Sequence, residues 1–216
     1  MTWEPVEHGK WGSGVYVRDG LLTPEYSRDY AGWLVGGTVR NDALTGSADR
    51  RLGIFSLHAP SRGTYHRAVH AMLDELAHRL AGCDLVLGGD FNMTIAHSRP
   101  GDERPASADD RAVIDRLDGE FGLVNCWRHA NPSALLVQTL RWGPRPAVAY
   151  HCDAIFVPRR WASGLRACVC CCNDDWCGVS DHFPIVADFC FNDPIADQTA
   201  DRNAAKSPAS SGLKGD

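Results

Sequence analysis

The chain has 216 residues, 44% hydrophobic and 23% charged, with a net charge of −5 at pH 7. That length buries one sizeable core and leaves little room for two independent domains. The negative balance argues against a dedicated duplex-binding surface, and no apolar run is long enough to span a bilayer.

In chain order, residues 14–18 and 33–40 read as short strands separated by a turn-rich loop. A third strand covers 51–58 and ends at Leu57-His58-Ala59-Pro60. Val69, Met72, Leu73, Leu76 and Leu80 recur at helical spacing, with Gly82 as the stop. Leu85-Val86-Leu87 reads as a buried strand, and the glycines after it allow a sharp turn before Asp90. Residues 98–107 carry Pro, Gly and mixed charge and read as a loop. Ser107 with Asp110 forms a capping-box pattern before Val113, Ile114, Leu117 and Phe121, so a second helix is expected, closed by Gly122. Residues 134–142, 149–157, 165–172 and 183–191 read as further strands. Residues 1–191 are expected to form one domain, and 192–216, without periodicity, a disordered tail.

The opening residues lack the basic start and apolar stretch of a secretory signal. A cytoplasmic location with reduced thiols is the expectation for the nine cysteines.

Two stretches carry the chemistry. Leu87-Gly88-Gly89-Asp90-Phe91-Asn92 and Ser180-Asp181-His182-Phe183-Pro184 each place an acidic residue beside a second polar group. Side chains beyond a strand end face a surface where ligands commonly sit. Two carboxylates, an amide and an imidazole can hold a hard cation, a phosphate and a proton acceptor. Asp90 and Asn92, two apart, point the same way on extended backbone; a plain Gly-Gly-Asp turn is the alternative. Asp181 and His182 are adjacent, so their side chains diverge and serve different centres. Asp153 is a lone carboxylate in the apolar run from His151 to Val157, costly there unless it has a partner.

GGDFN, the run HCDAIFVP from His151 and the run SDHFPIVADF from Ser180 together resemble the endonuclease/exonuclease/phosphatase family. That family includes deoxyribonuclease I, abasic-site endonucleases, sphingomyelinases and inositol phosphate phosphatases. The resemblance implies an α+β fold, a two-layer β-sandwich flanked by helices. It also implies Mg²⁺- or Mn²⁺-dependent phosphoester hydrolysis by in-line attack of water, as in an endonuclease, phosphodiesterase or phosphatase. On that resemblance Asp90 orients or deprotonates the water and serves the metal with Asp181, and Asn92 donates to a phosphate oxygen. His182 becomes the catalytic histidine, braced by Asp153. His58 touches the scissile phosphate or protonates the leaving oxygen, with a polar strand cap as the alternative. The implied partner is a phosphate-ester substrate, nucleic acid being one candidate. Arg99, Arg104, Arg141, Arg145, Arg159 and Arg160 supply a candidate basic rim.

Family members begin with two strands, the second carrying a Gln-Glu pair whose Glu is a principal metal ligand. Here Trp11-Gly12-Ser13-Gly14-Val15 resembles the strand after that Glu, and neither Glu4 nor Glu7 stands in a Gln-Glu context. The expectation is therefore an N-terminally truncated member. It is either a fragment or a remnant that binds phosphorylated ligands without turnover. Cys168, Cys170, Cys171, Cys172 and Cys177 lack paired CxxC knuckles, so small buried thiols are preferred to zinc. His66 and His70 read as the polar boundary of a helix, and Trp127, Trp142 and Trp161 mostly as core.

Overall fold

The computed structural model describes residues 1–6, 10–18, 21–39, 51–60, 64–141, 150–176 and 179–191. An N-terminal antiparallel pair, β1 (Thr2–Pro5) and β2 (Gly12–Val15), precedes a six-stranded sheet. That sheet is built from β3 (Leu22–Tyr26), β4 (Leu34–Val39), β5 (Leu52–His58), β6 (Asp84–Asp90), β7 (Leu123–Asn125) and β8 (Asp153–Pro158). Its order is β3-β4-β5-β6-β8-β7, with β5 and β6 parallel and every other pair antiparallel. The parallel pair requires a crossover, supplied by helix α1 (Tyr65–Arg79).

The sheet is buried on both faces, which is why its central strands read as apolar runs. Leu85, Leu87 and Phe156 point to one side, against Val69, Met72, Leu73 and Leu76 of α1 and Val113, Ile114 and Leu117 of α2 (Ala108–Gly119). Val86, Ile155 and Val157 point to the other, against Trp127 of α3 (Cys126–Ala130) and Trp161. Leu165 and Cys168 of β9 (Leu165–Cys170) and Ile185, Ala187 and Phe189 of β10 (Ile185–Phe189) complete that second layer. β9 and β10 form an antiparallel ribbon, and among the described residues β10 pairs with no other strand.

Both expected helices are present. The Ser107–Asp110 box closes reciprocally at 3.1 and 2.9 Å, and Gly82 and Gly122 adopt φ of 77° and 62° after the helices. No described helix is long and apolar enough to cross a membrane.

Among the described strands and α-helices, β1, β3, β7 and α3 have no counterpart among the sequence expectations, and β2 stops at Val15 rather than at residue 18. Residues 134–141 are not a strand. They form a strap with a single bridging residue, Leu140, which pairs with Tyr150 on one side and His182 on the other. Glu7, Trp142, Arg145, Cys177 and the tail from 192 lie outside the described residues.

Candidate active site

Register creates the site. His58 pairs with Asp90 across the parallel strands, and Asp90 pairs with Asp153 across the antiparallel ones. The last residues of β5 and β6 and the first of β8 therefore form one row at one edge of the sheet. This alignment depends on Gly89, whose φ is 137° and where a Cβ would stand 1.9 Å from the Leu57 carbonyl oxygen. Only glycine permits that approach.

His182 reaches the row from the turn before β10. Its Nδ1 lies 3.1 and 3.0 Å from the two carboxylate oxygens of Asp153. Its Nε2 lies 3.8 Å from Asp90 Oδ2, and His58 Nδ1 approaches the same oxygen at 3.8 Å. Asp90 Oδ2 thus sits between two imidazoles, too far from either for a hydrogen bond. Asp90 Oδ1 accepts the Asn92 backbone N–H at 2.8 Å.

Asn92 takes a left-handed φ of 53°, so its side chain turns back to donate to the Ala59 carbonyl at 2.8 Å and to stand 3.4 Å from His58 Nε2. The Tyr150 hydroxyl donates to the Asn92 carbonyl. Two rings flank His58, Trp11 at 4.7 Å and Trp33 at 5.4 Å between centroids.

Charge follows from these contacts. The hydrogen bond to Asp153 outweighs burial and holds His182 up at about 9, so it is an imidazolium at neutral pH. Burial pushes His58 below its usual range against the pull of Asp90, so that ring is neutral. Burial, reinforced by Asp153, raises Asp90. The carboxylate oxygens of the row, with His58 neutral beside them, are donors of the kind a hard cation takes.

Among the described residues, one group brings three or more metal-ligating side chains within 4.8 Å of one another: Asp90, Cys152, Asp153 and His182. Cys152 is a poor ligand, because burial drives its thiol well above the usual range and it donates to Asp153 Oδ2 at 3.4 Å. Both Asp153 oxygens face His182, which leaves Asp90 Oδ2 as the oxygen of that group suited to a hard ion. Mg²⁺ tolerates such a set, since it binds through one or two carboxylates and keeps several waters.

Asp181 is exposed and its carboxylate is not in this group; its backbone carbonyl accepts from Arg141 N–H at 2.7 Å. Glu4 serves the fold, accepting the Gly32 N–H at 2.9 Å. Of the arginines, Arg104 stacks 3.9 Å over Tyr150, and Arg141 donates to the Ser180 carbonyl beside His182. Arg159 and Arg160 do not join the rim. They pair with Asp118 and with Asp84, and Asp84 begins the strand that Asp90 ends, roughly 20 Å away at strand rise.

Sequence reasoning missed Thr139. It is fully buried in the strap, and its hydroxyl oxygen accepts the Cys152 and Asp153 backbone N–H groups at 3.0 and 3.1 Å. It also missed the Trp11 and Trp33 walls and the Tyr150 clamp, for which an unaligned sequence carries no signal. A cleft of about 390 Å³ opens beside Asp153, His182, Gly89 and Ile185, and one of about 280 Å³ beside Asn92, Arg104 and Tyr150.

The architecture has solved counterparts. An AP endonuclease from Archaeoglobus fulgidus is similar at 17% identity, covering 79% of this chain and 70% of that one with a TM-score of 0.55. The fold is deoxyribonuclease I-like. A Neisseria 3' phosphatase, NExo, in complex with a product DNA hairpin is similar at 17% identity, 79% and 72% coverage and a TM-score of 0.54. The AP endonuclease LMAP from Leishmania major is similar at 16% identity, 72% and 54% coverage and 0.52. No protein-family profile and no curated relative matches the sequence. Within this deoxyribonuclease I-like fold, the row of His58, Asp90 and Asp153 stands at the edge of the sheet where β5 and β6 end.

Proposed function

We propose that the chain is a divalent-metal-dependent phosphoester hydrolase that uses in-line attack by water. The observation that carries this reading is the row His58–Asp90–Asp153 closed by His182, a constellation that pairs a buried carboxylate with one cationic and one neutral imidazole.

The roles follow from the charges. Asp90, raised by burial and with its Oδ2 beyond hydrogen-bond distance of both imidazoles, is the base and stands where a water can be aligned, whereas both Asp153 oxygens face His182. His182 is already protonated at neutral pH, so it stabilises charge developing on phosphoryl oxygens rather than accepting a proton. Asp153 holds that ring by its Nδ1 and fixes which nitrogen faces the substrate. The Asn92 amide and the neutral His58 ring present donors to the remaining oxygens and to the leaving group. Asp90 would hold the Mg²⁺ or Mn²⁺, with exposed Asp181 as the second candidate ligand. When bound, the ion polarises the phosphoryl group. The substrate we propose is a phosphodiester or phosphomonoester, nucleic acid among them, since the similar structures include a nuclease and a DNA-bound 3' phosphatase.

The test is hydrolysis of a generic phosphodiester and of plasmid DNA with Mg²⁺ or Mn²⁺, run against His182→Ala, Asp90→Asn and Asp181→Asn. Metal-dependent turnover that falls by about 10²-fold or more in the first two variants supports the assignment. Absence of turnover above the His182→Ala background, from protein shown to be folded, rejects it. A larger loss in Asp181→Asn than in Asp90→Asn moves the ion to Asp181.

A further inference from the structure

The cysteines at the end of β9 take no part in the row at the sheet edge, yet two of them are arranged for chemistry of their own. Cys172 N–H donates to the Cys170 carbonyl at 2.9 Å, the i to i+2 pattern of a γ-turn centred on Cys171. Cys171 N–H donates to the Pro184 carbonyl at 2.8 Å, and Cys170 pairs with Ile185, so the turn is anchored to the neighbouring strand. In an extended strand, residues two apart are separated by about 6.6 Å, near the outer limit for a disulfide. The turn shortens that span. The two sulfurs stand 3.1 Å apart, inside van der Waals contact and about 1 Å from bonding distance. Both thiols aim at one acceptor, the Gln138 carbonyl, each at 3.6 Å.

We propose that Cys170 and Cys172 form a redox-active dithiol that closes to a disulfide by exchange with a small-molecule disulfide such as oxidised glutathione. Cys172 is exposed and Cys170 is partly buried, which sets the order of events. The Cys172 thiolate attacks one sulfur of the glutathione disulfide, forming a mixed disulfide and releasing one glutathione thiolate. Cys170 then loses its proton to solvent and attacks Cys172 Sγ, breaking the mixed disulfide and releasing the second thiolate. Two protein thiols are oxidised and one disulfide is reduced to two thiols, so electrons and protons balance. Burial and the adjacent Cys172 sulfur push the Cys170 thiol above its usual range. Cys126 and Cys168 lie in the core and are protected. The strap that receives both thiols at Gln138 carries the next residue, Thr139, which holds Asp153 in place.

The test uses the folded 216-residue chain equilibrated over a range of oxidised to reduced glutathione. Free thiols are blocked, the protein is unfolded and reduced, and newly freed thiols receive an isotopically heavy label for peptide mapping. Heavy label appears on Cys170 and Cys172 together, with blocking of both falling on the order of tenfold across the oxidising range. In Cys170→Ser the resolving sulfur is gone, and Cys172 retains one glutathione. The proposal is overturned if both cysteines stay fully blockable at every ratio. It is equally overturned if the wild-type chain keeps glutathione on Cys172, or if Cys172 maps to a bridge with another cysteine. None of these readouts depends on hydrolytic activity, so they stand apart from the assignment of the hydrolase site.

Discussion

Replacing Asp153 by Asn tests the electrostatic core of the site. In the wild type the contact with Asp153 carries His182 from 6.5 up to about 9, against a burial effect of the opposite sign. That rise corresponds to about 3 kcal/mol of preference for the charged ring. The His182 side chain is 28% exposed, so solvent screening reduces the expected contribution to about 2 kcal/mol. Because the folded-state value is raised, this stability is fully present below about pH 6.5 and is lost as pH climbs through about 9. In Asp153→Asn the ring is left with burial as its main influence and falls back to its ordinary range or below. Urea unfolding, followed by tryptophan fluorescence at about pH 6 and about pH 10, should show a stability gap that narrows by about 2 kcal/mol at the higher pH. NMR titration of the His182 ring gives the same information directly. A gap that stays constant with pH, or a ring that still titrates near 9 in the variant, would refute the claim that Asp153 sets the charge of His182.

Three further perturbations bear on how the site is held. Gly89→Ala forces a Cβ against the Leu57 carbonyl at a φ of 137°, so it is expected to destabilise by about 3 kcal/mol or more in thermal unfolding. A near-wild-type melting temperature would show that the β5–β6 register tolerates a side chain there. Tyr150→Phe removes the donor to the Asn92 carbonyl, with an expected cost of about 1–2 kcal/mol and a drop in turnover. Unchanged rates would mean that Asp90 and Ala59 suffice to hold Asn92. Ser107→Ala removes one half of the α2 capping box and should cost about 1 kcal/mol without altering catalysis, measured by urea unfolding beside initial rates.

Much was legible in the chain because local rules governed it. Helix α1 and its Gly82 stop, the Ser107–Asp110 cap and the strands ending at His58 and Asp90 all follow from periodicity and terminal chemistry. The strap at 134–141 misled for a physical reason. Its short apolar run, Ala134 to Val137, fits a strand, but the backbone groups that follow are divided between Tyr150 on one side and Asp181 and Phe183 on the other, so it pairs as a ladder with neither. β1 and β3 were missed because Thr-Trp-Glu-Pro and Leu-Thr-Pro-Glu-Tyr contain prolines, which a sheet edge accommodates and propensity discourages.

The sequence by itself determined which residue types stand at strand ends and hence the class of chemistry available. Asp153 was identifiable because it breaks an apolar run at a cost that demands a partner, Asp90 and Asn92 because they follow the glycines at a strand end, and His182 by the resemblance of its SDH turn. Tertiary structure decided who the partners are. Strand register is a non-local property, and the row His58–Asp90–Asp153 exists only through pairing between segments some 30 to 60 residues apart in the chain. The same holds for charge. His182 is cationic and His58 neutral although both are histidines, because one gained a carboxylate at 3.0 Å and the other mainly lost water.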